Sequence, residues 1–178
     1  VNYKAIADDA DIDQITCKNW INILETLGIV FLLHPYSNNV LKRTIKTPKL
    51  YFYDTGLVCY LTRWSSPEVA ESGAMNGALL ENFTVSEIMK SYQNSGKDPF
   101  IHYYRDRDAK EIDVIMEGDG KLCPLEIKKT ATPDKRLVRT FDVINKSPLQ
   151  LGTGAVLCMA DHLSAFDREN LIVPIWMI

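Results

Sequence analysis

Four charged side chains stand two residues apart in pairs within one short stretch: Glu111 with Asp113, and Glu126 with Lys128. Side chains alternate between the faces of a β-strand, so each pair shares a face. Residues 103–128 read as a hairpin. Apolar and polar residues alternate through 111–116, stop at Glu117-Gly118-Asp119-Gly120, and resume through 121–128. Two glycines and an aspartate in four positions are strong turn chemistry. With 117–120 as the loop, Met116 faces Lys121 and Asp113 faces Pro124. Glu126 is then the diagonal neighbour of Asp113, roughly 7–8 Å away. The same register sets Glu111 directly opposite Glu126, so it leaves open which of the two acids is the working partner. Ile112, Val114, Met116, Cys123, Leu125 and Ile127 form the other face and predict one buried side.

Carboxylates this close repel unless a positive charge lies between them. A hard divalent cation meets that need, and Mg²⁺ (or Mn²⁺) suits one or two carboxylates with waters and phosphate oxygens. Lys128 lies on the same face as Glu126 and could orient a water or neutralise developing charge. The competing interpretation is a solvated strand face carrying ordinary charges.

An Asp on one strand, Glu-Ile-Lys on the next and a helix beyond resemble the core of the PD-(D/E)XK nuclease superfamily. More narrowly, the chain resembles the uncharacterised domain found C-terminal to an AAA+ ATPase module in many prokaryotic proteins. The phrases that carry this are Pro48-Lys-Leu-Tyr-Phe-Tyr-Asp-Thr-Gly-Leu57, Gly77-Ala-Leu-Leu-Glu81-Asn-Phe, Tyr104-Arg105, Glu111-Ile-Asp113 and Leu125-Glu126-Ile-Lys128. The resemblance implies a restriction-endonuclease-like mixed α/β (α+β) sheet flanked by helices. It implies a Mg²⁺-dependent (or Mn²⁺-dependent) site on DNA, with Asp113, Glu126 and Glu81 as metal ligands and Lys128 as a catalytic residue. It also implies an ATPase module in the same full-length chain. One departure is that the hairpin acid follows Glu111-Ile112, not Pro, so position alone favours Asp113 over Glu111.

Length and composition set the frame. The chain has 178 residues, 46% of them hydrophobic, enough for one domain with a real core or two small ones. With 20 basic and 23 acidic residues its net charge is −3. That excludes an overall basic nucleic-acid binder and leaves local basic patches as the route to DNA. The four cysteines form no Cys-X-X-Cys pair, so neither a zinc site nor a disulfide framework is expected. Cys123 and Cys158 fall in apolar strand patterns and are expected in the core. No signal peptide or bilayer-length apolar run is visible, and a cytoplasmic protein is expected. The first residue falls inside a helical pattern, which suggests a piece of a longer protein.

The N-terminal third predicts a winged-helix-like module. A short helix over 3–9, a second over Ile12–Ile15 and a third capped by Thr16 are followed by strands at 29–34 and from Val40 onward. Trp20, Ile21, Leu24 and Leu27 are expected on one face of the third helix, with Gly28 as its stop. Lys42, Arg43, Lys46 and Lys49 are the candidate DNA contacts near the wing. Tyr51-Phe52-Tyr53 is expected as packing, and Asp54 or Thr55 as a helix cap. Ser65-Ser66-Pro67 breaks the chain, giving modules 1–64 and 65–178.

Residues 73–93 carry the longest helical pattern, interrupted on its apolar side by Glu81. Phe100–Arg105 predicts the first strand. Thr132-Pro133-Asp134 announces a helix with Leu137, Val138, Phe141 and Ile144 inside and Lys135 and Arg139 outside, which would suit a phosphate backbone. Residues 155–159 predict a buried strand and 171–175 an edge strand, because Pro174 cannot donate to a ladder. Two functions compete: a metal-dependent DNA phosphodiesterase, and a catalytically inactive nuclease-fold module that recognises DNA or protein beside an ATPase.

Overall fold

The computed structural model describes residues 1–36 and 45–178. Its centre is a mixed sheet in the order β3-β4-β5-β7-β9-β8, with β6 pairing on β5. Strands β3 (Ile101–Arg105), β4 (Glu111–Gly118) and β5 (Lys121–Lys128) are antiparallel, whereas β7 (Gly154–Cys158) and β9 (Asn170–Pro174) run parallel to β5. Strands β6 (Gln150–Leu151) and β8 (Ser164–Ala165) are short. Helices flank the sheet, as the expected fold class requires.

The hairpin forms, with a tighter turn than expected. Asp119 (φ 50°) and Gly120 (φ 72°) both occupy the left-handed region, so they make a two-residue loop matched to the twist of the strands. Gly118 therefore pairs with Lys121, Ile115 with Pro124 and Val114 with Leu125. The register slips by two from the four-residue-loop expectation. Asp113 does not face Pro124, and Glu111 does not face Glu126.

Both faces of the hairpin are covered, so the expectation of one core face and one acid face is corrected. Val114, Leu125 and Ile127 join a core with Val85, Ile88 and Met89, and with Phe31, Leu33 and Tyr51. Ile112, Ile115 and Leu122 join a second core with Val138, Phe141 and Ile144. Ile112 and Val114 thus lie in different layers despite their spacing of two. The cause is an irregularity in the β3–β4 pairing: His102 pairs with Ile115 but Tyr104 with Ile112, so Asp113 and Val114 together face Tyr103.

Helix α5 (Asn76–Asn94) covers the first layer. On this helix Val85, Ile88 and Met89 are buried, whereas Phe83 is 38% exposed. The segment over Lys135–Lys146 is 3₁₀ and not α-helical. Its buried residues Val138, Phe141 and Ile144 fall every three positions, as three residues per turn demands. The strand β9 is not at the edge, because β8 pairs beyond it at Leu171 and Ile172. Pro174 lies past that pairing and needs no donor on that side.

At the N-terminus, α1 (Tyr3–Asp9) and α2 (Gln14–Thr26) precede the two-stranded sheet of β1 (Val30–Leu33) and β2 (Lys49–Phe52). The separate helix expected at 12–15 is absent. Asp13, not Thr16, is the cap, accepting from the backbone N–H of Ile15 and Thr16. Two helices, α1 and α2, therefore precede the first strand where three were expected. Of the apolar face expected on this helix only Ile21 is buried; Trp20 and Leu27 are 55% and 66% exposed. Asp54 caps α3 (Thr55–Leu61), Ser66 caps α4 (Pro67–Ser72), and Gly28 follows α2 with φ 68°. The strand expected from Val40 begins outside the described residues, and β2 starts at Lys49.

Candidate acid–lysine site

Asp113 lies where the β4–β5 ladder ends. Beyond the Val114–Leu125 pair, the backbone N–H of Ile127 donates to Asp113 Oδ2 at 2.8 Å. The carboxylate therefore takes the place of a rung, and the irregularity at 113–114 is what turns it there. Asp113 and Glu126 are only 6% and 8% exposed. Lys128, two residues along β5, reaches back to Glu126 Oε1 at 2.8 Å. Three of the expected site residues thus gather at the point where two strands part.

Glu81 enters from α5. Its Oε1 accepts from the Tyr51 hydroxyl at 2.6 Å and from Lys49 Nζ at 2.9 Å. The same ammonium lies 2.5 Å from Glu111 Oε1, and Arg105 Nε stands 3.6 Å from Glu111 Oε2. On β4, Glu111 is thus paired with Lys49, while the charge of Glu126 bears on Asp113 and that of Glu111 bears on Glu126.

The electrostatics tie these groups into one cluster. Burial, and then the charges of Glu126 and Glu81, push Asp113 up to about 7, against the pull of the Ile127 N–H and Lys128. Burial also raises Glu126, opposed by its bond to Lys128. For Lys128 burial favours the neutral amine, but the Glu126 hydrogen bond and the charges of Asp113, Glu126 and Glu81 outweigh it and hold the ammonium above its usual range. Burial and the neighbouring Glu81 raise the Tyr51 phenol, so Tyr51 is a donor and not a phenolate.

Carboxylate oxygens are hard donors and suit Mg²⁺ or Mn²⁺ over softer metals. In that respect Asp113 and Glu126 fit the implied ion, since a buried acid pair is short of positive charge. Glu81 does not complete a set with them. Among the described residues no three of His, Cys, Asp and Glu are grouped closely enough to hold a metal, and Glu81 is taken by Lys49 and Tyr51.

Lys42 and Arg43 lie outside the described residues. Lys46 and Arg139 are exposed, and Lys135 is paired with Asp167 at 2.8 Å. Lys49, expected at the wing as a phosphate contact, and Tyr51, expected only as packing, both sit instead on the acids of the site. Their spacing of two on one strand inside the Pro48–Leu57 phrase was the available signal. Sequence reasoning missed Asn82, whose side chain accepts from Phe52 N–H at 2.8 Å and donates to Phe52 C=O at 3.0 Å, fixing β2 to α5. Beside Glu81 a cavity of about 440 Å³ opens between β2, α3 and α5, walled by Trp64, Met75 and Leu79.

The chain is 28% identical over 170 residues to an uncharacterized protein of Mycobacterium bovis, and to the same extent to one of Mycobacterium tuberculosis. Each match covers 95% of this chain and 37% of the relative, so the chain spans little more than a third of the length of these proteins. No solved structure matches it. A family model described as a domain of unknown function (DUF8612) matches residues 1–68, the segment that supplies Lys49 and Tyr51. A second, described as a domain of unknown function (DUF4143), matches residues 76–178, which carry α5, the central sheet and the acids. By that match over more than half its length, the chain belongs to the DUF4143 family.

Proposed function

We propose that residues 65–178 form a nuclease-like domain of the PD-(D/E)XK kind, the C-terminal part of an AAA+ ATPase protein, whose acid–lysine site hydrolyses phosphodiester bonds in DNA. The observation that carries this reading is the convergence of Asp113, Glu126 and Lys128 where β4 and β5 part, with Asp113 pushed up to about 7.

Asp113 and Glu126 would hold a divalent cation, Mg²⁺ or Mn²⁺, whose chemistry is to acidify a bound water and neutralise charge at phosphorus. Lys128 remains protonated at neutral pH because Glu126 and Asp113 hold its ammonium above the usual range. Its role is therefore electrostatic: it donates to the attacking water or to a phosphoryl oxygen and does not abstract a proton. The Ile127 N–H fixes one oxygen of Asp113 and so fixes the orientation of that carboxylate. Of the expected DNA contacts, Lys46 and Arg139 are exposed and available to the DNA backbone.

A second reading, a catalytically inactive recognition module beside the ATPase, is favoured by one observation. Lys49 and Lys128 are already ion-paired with three of the acids. The test is incubation of the full-length protein with supercoiled, linear and single-stranded DNA in Mg²⁺ or Mn²⁺. The catalytic reading expects cleavage that folded Asp113→Ala and Lys128→Ala variants lose. Intact DNA in every arm would refute it, and salt-sensitive binding without cleavage would leave the recognition module.

A further inference from the structure

Lys49 comes from the N-terminal segment, yet its ammonium bridges an acid on α5 to an acid on β4. The three side chains are only 23%, 27% and 30% exposed. The ammonium also lies 5.3 Å from the centre of the Tyr103 ring, and the Tyr51 hydroxyl occupies the same oxygen of Glu81. The strand that carries both residues is held in place, with Leu33 paired to Lys49 and Phe52 bonded at both backbone groups to Asn82.

We propose that the Lys49 ammonium is a built-in cation that closes Glu81 and Glu111 to a divalent ion, so that Glu81 becomes available as a metal ligand only when Lys49 is withdrawn. Two acids on separate elements repel unless something positive bridges them. Lys49 does here what a divalent ion would otherwise do, and one position does not hold both. This accounts for the lack of a three-ligand set among the described residues despite four acids in one neighbourhood. It also makes the site composite, with the segment before residue 65 deciding which acids of the following domain are free. The inference deepens the reading above and rests on its cation-binding half, not on cleavage.

The test is Mn²⁺ binding to the whole chain, read by calorimetry and by the loss of the free-ion paramagnetic resonance signal, with thermal unfolding alongside. Charges in contact at a half-buried position interact by more than a tenfold change in binding requires. Lys49→Met is therefore expected to bind Mn²⁺ about tenfold or more tighter than the wild type, and its melting temperature is expected to rise more with added Mn²⁺. Lys49→Arg keeps the charge and is expected to bind as the wild type does. The double variant Lys49→Met with Glu81→Gln is expected to lose the gain. Should Lys49→Met fail to fold, Lys49→Gln, which keeps a donor for Glu81, carries the same readout. Wild-type or weaker Mn²⁺ affinity in the folded neutral variant overturns the proposal, as does failure of both neutral variants to gain affinity. A gain without cleavage by the wild type refutes only the catalytic reading, and cleavage by the wild type without a gain refutes only this one.

Discussion

Replacing Asp113 by Asn removes the charge from the buried acid pair and keeps an oxygen able to accept the Ile127 N–H. In the folded chain burial and the charges of Glu126 and Glu81 lift this carboxyl from 3.8 to about 7. Each pH unit in that interval is worth about 1.4 kcal/mol, so the whole interval amounts to about 4 kcal/mol, an upper bound because Glu126 shares the proton. The sign follows from proton binding. Below the unfolded value both states are protonated. Between the two values the folded state holds a proton that the unfolded state has released, so stability falls as pH rises, and the loss is complete above the folded value. The amide of the Asp113→Asn variant does not titrate. The variant is therefore expected to match the wild type at about pH 3, below the unfolded value, and to exceed it by up to about 4 kcal/mol at pH 8. His102 works in the opposite direction, since burial lowers its pKa and its charging in the unfolded chain reduces stability as pH falls. That contribution is common to both proteins and cancels in the difference. The assay is urea unfolding of both, in chelator, from about pH 3 to 8. A difference that stays flat across that range, or a variant no more stable than the wild type at pH 8, would refute the assignment of Asp113 as a buried, metal-free acid.

Asn82→Ala leaves the N–H and C=O of Phe52 without their side-chain partners at a position only 8% exposed. Urea unfolding should show a loss of about 2–4 kcal/mol, and a loss below about 1 kcal/mol would mean that β2 is not fixed through this residue. Gly120→Ala meets no steric clash but forces a side chain to φ 72°, at a cost of about 1 kcal/mol. Gly118→Ala, also in open space and outside the left-handed region, should cost much less. Equal costs for the two would contradict the two-residue turn.

The hairpin, the strand identity of 111–116 and 121–128, and the shared side of Glu126 and Lys128 were legible because they are local. Turn chemistry at Asp119-Gly120 and a period of two need no information from elsewhere in the chain. The register was not legible, because Glu117 and Gly118 read as loop residues until Gly118 is seen paired with Lys121. Nor was the irregularity at Asp113 and Val114, which depends on β3 and on the burial demands of two separate cores. Nor was the pairing of Glu111 with Lys49, which is 62 residues from it in sequence and 2.5 Å from it in space. Sequence patterns report which face a side chain takes. Only the packed structure reports which charge it meets, because a carboxylate's partner is whatever cation the fold brings within a few ångströms of it.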